Sequence, residues 1–481
     1  MGCTRLRFVR WSAIRAAVLQ ELALFFVALA ILSWRVRGAV WALCAGWLVA
    51  TVPVALGFIK YETLQDRGGM VTLALAGFSL VFAVGAMLGH AARGSERIAP
   101  DELQPAWAAE FRRWLTWARL IWVLAIIGTA FLVIDYAVNG RQGLSDLAAL
   151  RDQIVGMKSA STYAQLAAVL TWSGLYCYIF ALLFWRELTP AGRIWFSLPV
   201  VGYFLVSVLS AGRNAAFQIM LVTVTCVLLD GARRRNLLRV AKLRLRLTAV
   251  TTVIVPAISA LMVAYMGYVA VARNNDAVSD DKTEVLAAIF SFNLAAPIEH
   301  LDKTVNRDVR GAVVEGLVYF TSTTMGYESF LRINWPHATL GVYTFPFALR
   351  QTNAITGLNP AEALDDKAAR LAAVGGFAYG WTTAYSHYQT DFTDVGAAVL
   401  LALGGFWSGW SWRRAVEGAS FNGCVLGIML IVSALYTPLV PAVSDTNVFL
   451  VLVAGVMLPF VDRLLRRDAA GAAYVGLPSA A

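Results

Sequence analysis

Five arginines stand where apolar segments meet polar loops, and their side chains are suited to binding phosphate. A guanidinium group stays charged at physiological pH, and its planar fork of N–H donors matches phosphate oxygens. Several such groups around one cavity would bind a diphosphate. The alternative is that each arginine anchors a helix end at the lipid headgroups. The residues are Arg151 in LAALRDQI, Arg213 in SAGRN, Arg273 in VARNN, Arg332 and Arg350.

Arg213 has the most specific setting of the five. It lies in SAGRNAAF, residues 210–217, between two hydrophobic runs, and no acidic residue occurs within sixteen positions on either side. It also precedes a predicted helix, whose exposed N–H groups and dipole would favour an anion. Because anchoring arginines favour the cytoplasmic side of a membrane, an outward location would favour ligand binding. We predict that Arg213 is the main diphosphate ligand and that Arg151 and Arg273 assist it.

Two of the four histidines stand beside carboxylates. Glu299 directly precedes His300, and His387 lies four residues before Asp391 in HYQTD. If residues 384–392 are helical, this spacing places His387 and Asp391 on one face. An imidazole or carboxylate at the membrane surface could then take a proton from an attacking hydroxyl. The alternatives are a surface pair or a capping pair, with Asp391 as the N-cap of a span that starts near residue 393.

The composition requires a membrane. Of 481 residues, 59% are hydrophobic and 15% are charged, and the mean hydropathy is +0.63, which exceeds what one water-soluble core can bury. A helix needs ~20 apolar residues to cross the hydrocarbon layer, and about eleven segments approach that length. These long runs predict an all-α, polytopic transmembrane helical bundle. The predicted spans are 17–33, 39–59, 70–90, 114–136, 164–185, 193–210, 214–230, 247–272, 393–411, 420–440 and 445–464.

The basic residues predict how the bundle is oriented. Residues 233–246 carry seven basic residues and no acidic one, which is typical of a cytoplasmic loop. Counting spans from this loop assigns the other loops to one side or the other. The cytoplasmic segments are 91–113, 186–192, 412–419 and the tail DRLLRRD, and the outward segments are 137–163, the SAGRN turn and 273–392.

The same count places the amino terminus outside, whereas the arginines between residues 5 and 15 favour the cytoplasm. We therefore expect that residues 17–59 are divided wrongly into two spans.

Residues 273–392 form a long outward, periplasmic loop with 13 acidic and nine basic residues. A connection of this length is expected to be functional. Segments 283–300 and 311–330 are predicted to be amphipathic or re-entrant helices in a cap over the outward mouth. The chain then divides into an N-terminal transmembrane bundle at 1–272, the periplasmic cap region at 273–392, and C-terminal transmembrane hairpins with a cytoplasmic tail at 393–481.

The sequence contains neither a phosphate-binding Walker loop nor a dinucleotide fingerprint, and carboxylate pairs with metal-binding spacing do not occur. We therefore expect no cofactor and no metal. A nucleic-acid partner is not expected either, because membrane topology explains the basic cluster.

At the level of motifs, the chain resembles the bacterial O-antigen polymerases, the oligosaccharide-repeat-unit polymerases of the Wzy type. The resemblance rests on LVSVLSAGRNAAFQIML around Arg213, and on YFTSTTMGYESFL and YTFP in the long loop. It also rests on WTTAYSHYQTDFTDVGAAVLL, which is similar to the threonine-containing segment that leads into an Asp-Phe-(x)-Gly helix entry in that family. Here the pattern is stretched, since Thr393 and Asp394 stand before Gly396. Some members carry paired Arg-x10-Gly segments in outward loops, and no arginine of the predicted outward segments here has a glycine eleven residues later.

The resemblance implies an inner-membrane glycosyltransferase of lipopolysaccharide biosynthesis whose active site faces the periplasm. Its substrates would be oligosaccharide repeat units linked to undecaprenyl diphosphate in the lipid bilayer, with a chain-length regulator as a further partner. The growing glycan would pass from its carrier to a hydroxyl of the next lipid-linked unit. The arginines would hold the diphosphates, and either His387 with Asp391 or Glu299 with His300 would activate the hydroxyl.

Two other functions are compatible with the same plan. A ligase would transfer the lipid-linked glycan once, to a lipid A core. A transporter or flippase would move it across the membrane and should carry ionisable groups deep inside its spans. Glu21 and Asp135 are nearly the only candidates for such groups, and both lie near predicted span ends. This distribution favours a site on one side of the membrane.

Overall fold

The computed structural model describes most of the predicted bundle and parts of the long loop. The described residues are 19–33, 37–61, 68–92, 102–138, 161–209, 214–237, 287, 292–294, 307–333, 339–349, 366–367, 369–371, 373, 383–418 and 420–475.

The described chain is almost entirely helical. In chain order the helices are α1 Leu19–Leu32, α2 Arg37–Ala55, α3 Gly68–Ala91, α4 Leu103–Val138, α5 Thr162–Leu170, α6 Trp172–Leu183, α7 Pro190–Ser197, α8 Pro199–Leu209, α9 Asn214–Leu237, α10 Arg307–Thr321, α11 Thr323–Leu331, α12 Thr383–Glu417, α13 Phe421–Tyr436 and α14 Thr446–Val475. Two short strands, β1 Ile59–Tyr61 and β2 Phe292–Leu294, pair in antiparallel fashion.

Among the described residues, eight helical stretches are long and apolar enough to cross a membrane, and α1 and α13 are shorter apolar helices. Each predicted span within these residues coincides with a helix or with a pair of consecutive helices. The predicted span 247–272 lies outside the described residues. The helical character of the fold is therefore confirmed, with eight described stretches suited to crossing a membrane, while the total of about eleven spans stays a prediction.

Local sequence signals fix several helix starts. Ser161 accepts a hydrogen bond from Ala164 N, and Ser420 accepts one from Gly423 N. Thr189 caps α7 in the same way, and Pro190 occupies the first helical turn, where its missing N–H has no cost. These caps define where three of the helices begin.

The loops that were predicted to be cytoplasmic lie together at one end of the bundle. Contacts between distant segments establish this end, which we call the basic end. They join Arg413 to the carbonyls of His90 and Ala92, Phe421 N to Glu110, Arg113 to Asp462, Trp107 to Phe184, and Arg233 to Trp107. The common location is what the basic loops predict, although the side of the membrane on which it lies stays a prediction.

Helices α1 and α2 form an antiparallel pair at the start of the described chain. Gln20 Nε2 donates to Ala55 O over 3.2 Å, and Trp41 Nε1 donates to Ala30 O over 2.9 Å. Gly38, at the start of α2, lies against the Trp412 ring near the basic end. The expectation that residues 17–59 were divided wrongly is therefore wrong, because two helices are present. Residue 19 lies at the end opposite the basic end.

Helices α3 and α12 pack so closely that their backbones touch. A Cβ atom at Gly85 would overlap Ala402 O, and one at Gly405 would overlap Phe82 O. Gly89 has the same relation to Phe406 O. Because Gly85 and Gly89 meet residues that also follow each other along α12, the two helices are parallel. We call this contact the α3–α12 seam.

The chain bends sharply at Thr393, inside α12. Thr393 has φ 63° and ψ 176°, which is not helical. Tyr385 packs beside Ser79, whereas Ala402 packs beside Gly85. In a straight helix Tyr385 and Ala402 would be about 25 Å apart, but Ser79 and Gly85 are separated by only about 9 Å along α3. Residues 383–392 are therefore a separate helical arm, which we call the polar arm, and the predicted span begins after it.

The long loop matches its prediction in one segment and departs from it in another. The predicted helix at 311–330 is present as α10 and α11, divided at Ser322. The predicted helix at 283–300 is wrong for Phe292–Leu294, which form β2 and pair with Ile59–Tyr61. Side chains alternate between buried and exposed along β1, and the Tyr61 and Phe292 rings contact each other edge to face. Apolar content alone predicted a helix, but strand pairing satisfies the backbone here.

Candidate functional site

Four segments of the sequence meet at the end opposite the basic end. Tyr327 OH on α11 donates to Gln389 Oε1 on the polar arm over 2.7 Å. The ring of Tyr343, from the segment after α11, lies edge to face with the His387 ring at 5.9 Å. Lys367 Nζ lies 4.8 Å from the centre of the Tyr343 ring. We call Tyr343, Lys367, His387 and Asp391 the polar cluster.

Asp391 holds the segment 339–344 against the polar arm. Its carboxylate is fully buried and accepts hydrogen bonds from Thr344 N at 2.6 Å and Tyr343 N at 3.1 Å. The Thr339 hydroxyl donates to it over 2.5 Å, and Leu340 N donates to the Asp391 carbonyl. These donors lie about 50 residues upstream in the chain. The carboxylate caps this turn and does not cap the span that follows residue 393.

His387 lies one helical turn before Asp391, as predicted, but the two side chains are not hydrogen-bonded to each other. The imidazole is partly exposed, and its buried Nδ1 has no hydrogen-bond partner among the described residues. The backbone of Tyr343 lies within hydrogen-bonding reach of the ring. An imidazole with one free nitrogen can accept a proton from a bound hydroxyl.

Lys367 is the unexpected member of the cluster. Its side chain is 4% exposed and lies between the rings of Phe330 and Tyr343. Burial lowers the pKa of Lys367 to about 7, and the charge of Asp391 partly opposes this shift. Nζ lies 3.5 Å from the Ser386 hydroxyl. A buried amine with this pKa exchanges its proton near neutral pH.

Arg332 is the one predicted phosphate ligand whose side chain the structure describes. It donates to Glu328 Oε1 over 2.7 Å, and the Glu328 side chain is almost fully buried. The two residues occupy successive turns at the end of α11. Arg332 therefore has a carboxylate partner, and binding a phosphate would require sharing or replacing it.

The start of α9 gives indirect information on the SAGRN turn, whose Arg213 lies outside the described residues. Ser207 Oγ accepts hydrogen bonds from Ala215 N and Ala216 N, so two of the N–H groups that could have favoured an anion are occupied. Asn214 donates to Asp445 Oδ2 over 2.5 Å. Burial raises the pKa of Asp445, while hydrogen bonds from Val448 N and other donors lower it. A carboxylate distant in sequence thus lies beside the residue that follows Arg213.

The remaining predicted site residues fall outside the described residues, and their positions stay predictions. They are Glu299, His300, Arg151, Arg273 and Arg350. Of the two predicted His–carboxylate pairs, His387 with Asp391 on the polar arm is therefore the one that lies within the described residues. Within the described ranges, no group of three or more His, Cys, Asp or Glu side chains could hold a metal ion.

Lys367 and Asp445 were not predicted from the sequence. Lys367 stands in EALDDKAAR, which has the charge pattern of a solvated helix. One signal was available, since lysine is rare in this chain compared with arginine. Asp445 lies one residue before α14, in the position of a helix N-cap, and accepts from Asn447 N and Val448 N. Its contact with Asn214 depends on tertiary packing.

Comparisons with protein-family models, with curated proteins and with solved structures find no match to this chain. The geometry of the polar cluster therefore carries the functional interpretation together with the sequence motifs.

Proposed function

We propose that this chain polymerises oligosaccharide repeat units linked to undecaprenyl diphosphate, acting at the periplasmic face of the bacterial inner membrane. The proposal is supported by one observation above all. Three of the four motifs that carry the resemblance to O-antigen polymerases lie on α11, in YTFP at 343–346 and on the polar arm, and these segments contact one another. Segments that are distant in sequence would meet in this way if they shared a site.

The proposed reaction joins two lipid-linked glycans. The oxygen of the acceptor hydroxyl attacks the anomeric carbon of the growing glycan, and a new glycosidic C–O bond forms. The bond from that carbon to the diphosphate oxygen breaks, and undecaprenyl diphosphate leaves with the electron pair. The hydroxyl proton passes to a base and from there to solvent. Cationic side chains lower the barrier by stabilising the departing diphosphate.

Within this proposal His387 is the base, because its Nδ1 is free of protein partners in the described chain. Asp391 is a positioning residue, since its carboxylate is occupied by the 339–344 segment. Lys367 supplies a nearby positive charge that depends on pH near neutrality. Arg213, with Arg151 and Arg273, is proposed to hold the diphosphates. Glu299 and His300 are the alternative base.

The proposal is tested by reconstituting the purified chain in nanodiscs with a matching undecaprenyl-diphosphate repeat unit and a metal chelator. We expect a ladder of multiples of the repeat unit by mass spectrometry. An unchanged substrate in a folded sample would overturn the proposal, and a single transfer to a lipid A core would replace it with a ligase.

Substitutions then test the roles. His387→Gln should reduce the polymerisation rate by about 100-fold or more, the usual contribution of a general base. His90→Gln is the matched control, because His90 lies at the basic end. Full activity of His387→Gln would move the role of base to Glu299 and His300. A folded Arg213→Ala protein that polymerises at the wild-type rate would remove Arg213 from the proposal.

A further inference from the structure

A cleft of about 480 Å³ lies at the basic end, on the opposite side of the bundle from the polar cluster. Helices α4, α12, α13 and α14 form its walls. Polar residues line its outer part: Glu110, Arg113, Arg414, Ser420, Asn422 and Arg463. Apolar residues line its inner part, among them Gly404, Leu426, Leu430, Leu452 and Val456.

The cleft has the depth of one membrane leaflet. Ser420 and Leu430 line it at two points of α13 that are ten residues apart. Arg414 and Gly404 are separated by the same number of residues along α12. At ~1.5 Å per residue the cleft is about 15 Å deep, which is half of the ~30 Å hydrocarbon core. A single acyl chain of a membrane phospholipid fits this depth.

The charge at the outer part is positive. Arg113 is paired with Asp462 at 2.6 Å and with Glu110 at 3.3 Å. Arg414 and Arg463 have no carboxylate within ion-pair distance among the described residues. The Arg414 guanidinium lies 4.5 Å from the centre of the Trp410 ring, which fixes its direction. Arg414 and Arg463 lie close enough to interact electrostatically, and the nearby Glu110 carboxylate does not balance both charges, so the outer part of the cleft favours an anion.

Buried polar atoms in the cleft also lack partners. Ser411 is fully buried and lines the cleft, and its hydroxyl has no hydrogen-bond partner within the described chain. Asn422 also lines the cleft, and its buried Oδ1 has no hydrogen-bond partner among the described residues. Ser411 lies one helical turn further in than Arg414. Unpaired buried polar groups are rare because they are costly, so a ligand that hydrogen-bonds them is favoured.

We propose that this cleft binds an anionic glycerophospholipid of the bilayer. The phosphate lies between Arg414 and Arg463, and one acyl chain runs inward toward Leu430 and Leu452. Ser411 donates to an oxygen of the phosphate or ester, and Asn422 Oδ1 accepts from a headgroup hydroxyl. The lateral opening passes Trp407, Val456 and Phe460, whose side chains are each at least half exposed. A lipid can therefore enter directly from the membrane.

The test is native mass spectrometry of the delipidated full chain, titrated with phosphatidylglycerol and, separately, with phosphatidylcholine of the same acyl chains. Wild-type protein should bind phosphatidylglycerol at least tenfold more tightly, because phosphatidylcholine carries the same phosphate beside a trimethylammonium cation that the two arginines repel; a tenfold ratio corresponds to about 1.4 kcal/mol. The double variant Arg414→Ala/Arg463→Ala should lose this preference. Arg466→Ala removes the same charge from an exposed neighbour on α14 and should retain it.

A second variant tests the part of the proposed site that binds the acyl chain and leaves the charged residues unchanged. Among the described residues, no atom lies within 4 Å of a Cβ built at Gly404, so Gly404→Leu fills the cleft without a backbone clash. It should weaken phosphatidylglycerol binding by about tenfold. Equal binding of both lipids, or wild-type affinity in the double variant, overturns the proposal. If inorganic phosphate competes as well as phosphatidylglycerol and Gly404→Leu has no effect, the cleft is a site for a free anion. Tighter binding of undecaprenyl phosphate would assign the cleft to the carrier lipid.

Discussion

Removal of the Asp391 carboxylate should release the segment 339–344 from the polar arm. In Asp391→Ala, the N–H groups of Tyr343 and Thr344 and the Thr339 hydroxyl lose their common acceptor. A hydrogen bond to a charged group contributes about 1.5 to 3 kcal/mol. The two N–H donors alone, at the lower value, give about 3 kcal/mol of local stability, which corresponds to about a 100-fold change in the opening equilibrium.

Hydrogen–deuterium exchange measures this opening at the donors themselves. Peptides that contain Tyr343 and Thr344 should exchange about 100-fold faster in Asp391→Ala than in the wild type, because exchange reports the free energy of local opening. Asp394→Asn is the matched control. Asp394 lies three residues further along, is exposed, and accepts a hydrogen bond from Gln389 instead. Unchanged exchange at residues 339–344 in a folded Asp391→Ala protein would refute the anchoring role.

Three further substitutions test packing and charge through the thermal unfolding of detergent-solubilised protein. Burial lowers the pKa of Lys367 to about 7, so the unfolded chain binds more protons than the folded chain between that pH and about 10. The free energy of unfolding of the wild type should therefore rise from pH 7 to 9. Lys367→Met should be more stable than the wild type at pH 6 and should lack this rise. Parallel pH profiles of the two proteins would contradict the burial of the amine. Gly405→Ala should destabilise the protein by about 1 to 3 kcal/mol by pushing the seam helices apart. Gly404→Ala, whose Cβ meets no described atom within 4 Å, should not. Equal melting temperatures of the two variants would contradict the seam. Asp462→Asn removes the carboxylate that binds Arg113 and should cost about 1 to 3 kcal/mol, and an unchanged melting temperature would show that the contact contributes nothing.

Hydropathy was enough to predict where the helices lie, because crossing a membrane requires long apolar runs whatever their tertiary contacts. It could not predict the bend at Thr393. A positive φ at a threonine has no sequence signature of the kind that glycine provides. Residues 384–392 are helical, which is the condition under which the spacing of His387 and Asp391 places them on one face. The spacing could not reveal what binds Asp391, since backbone N–H donors are present in every segment of the chain except at proline.

The long loop was less predictable for the same reason. The helices α10 and α11 follow from apolar periodicity, but β2 depends on a partner more than 230 residues earlier. The burial of Lys367 is likewise decided by the rings of Phe330 and Tyr343, which approach it only in the folded chain. The predicted arginines outside the described residues remain to be placed by mutagenesis.

The two parts of the chain on either side of the bend at Thr393 should also differ in how well they tolerate substitution. Below it, the seam admits almost no side chain larger than glycine at Gly405, so this part should vary little in any functional variant library. On the other side of the bend, the polar arm is held by buried side chains such as Tyr385 and by backbone hydrogen bonds to residues 339–340, so only its partly exposed positions, such as 389 and 392, are open to exchange. Directed evolution at these partly exposed positions could change the shape of the candidate site while the scaffold stays fixed.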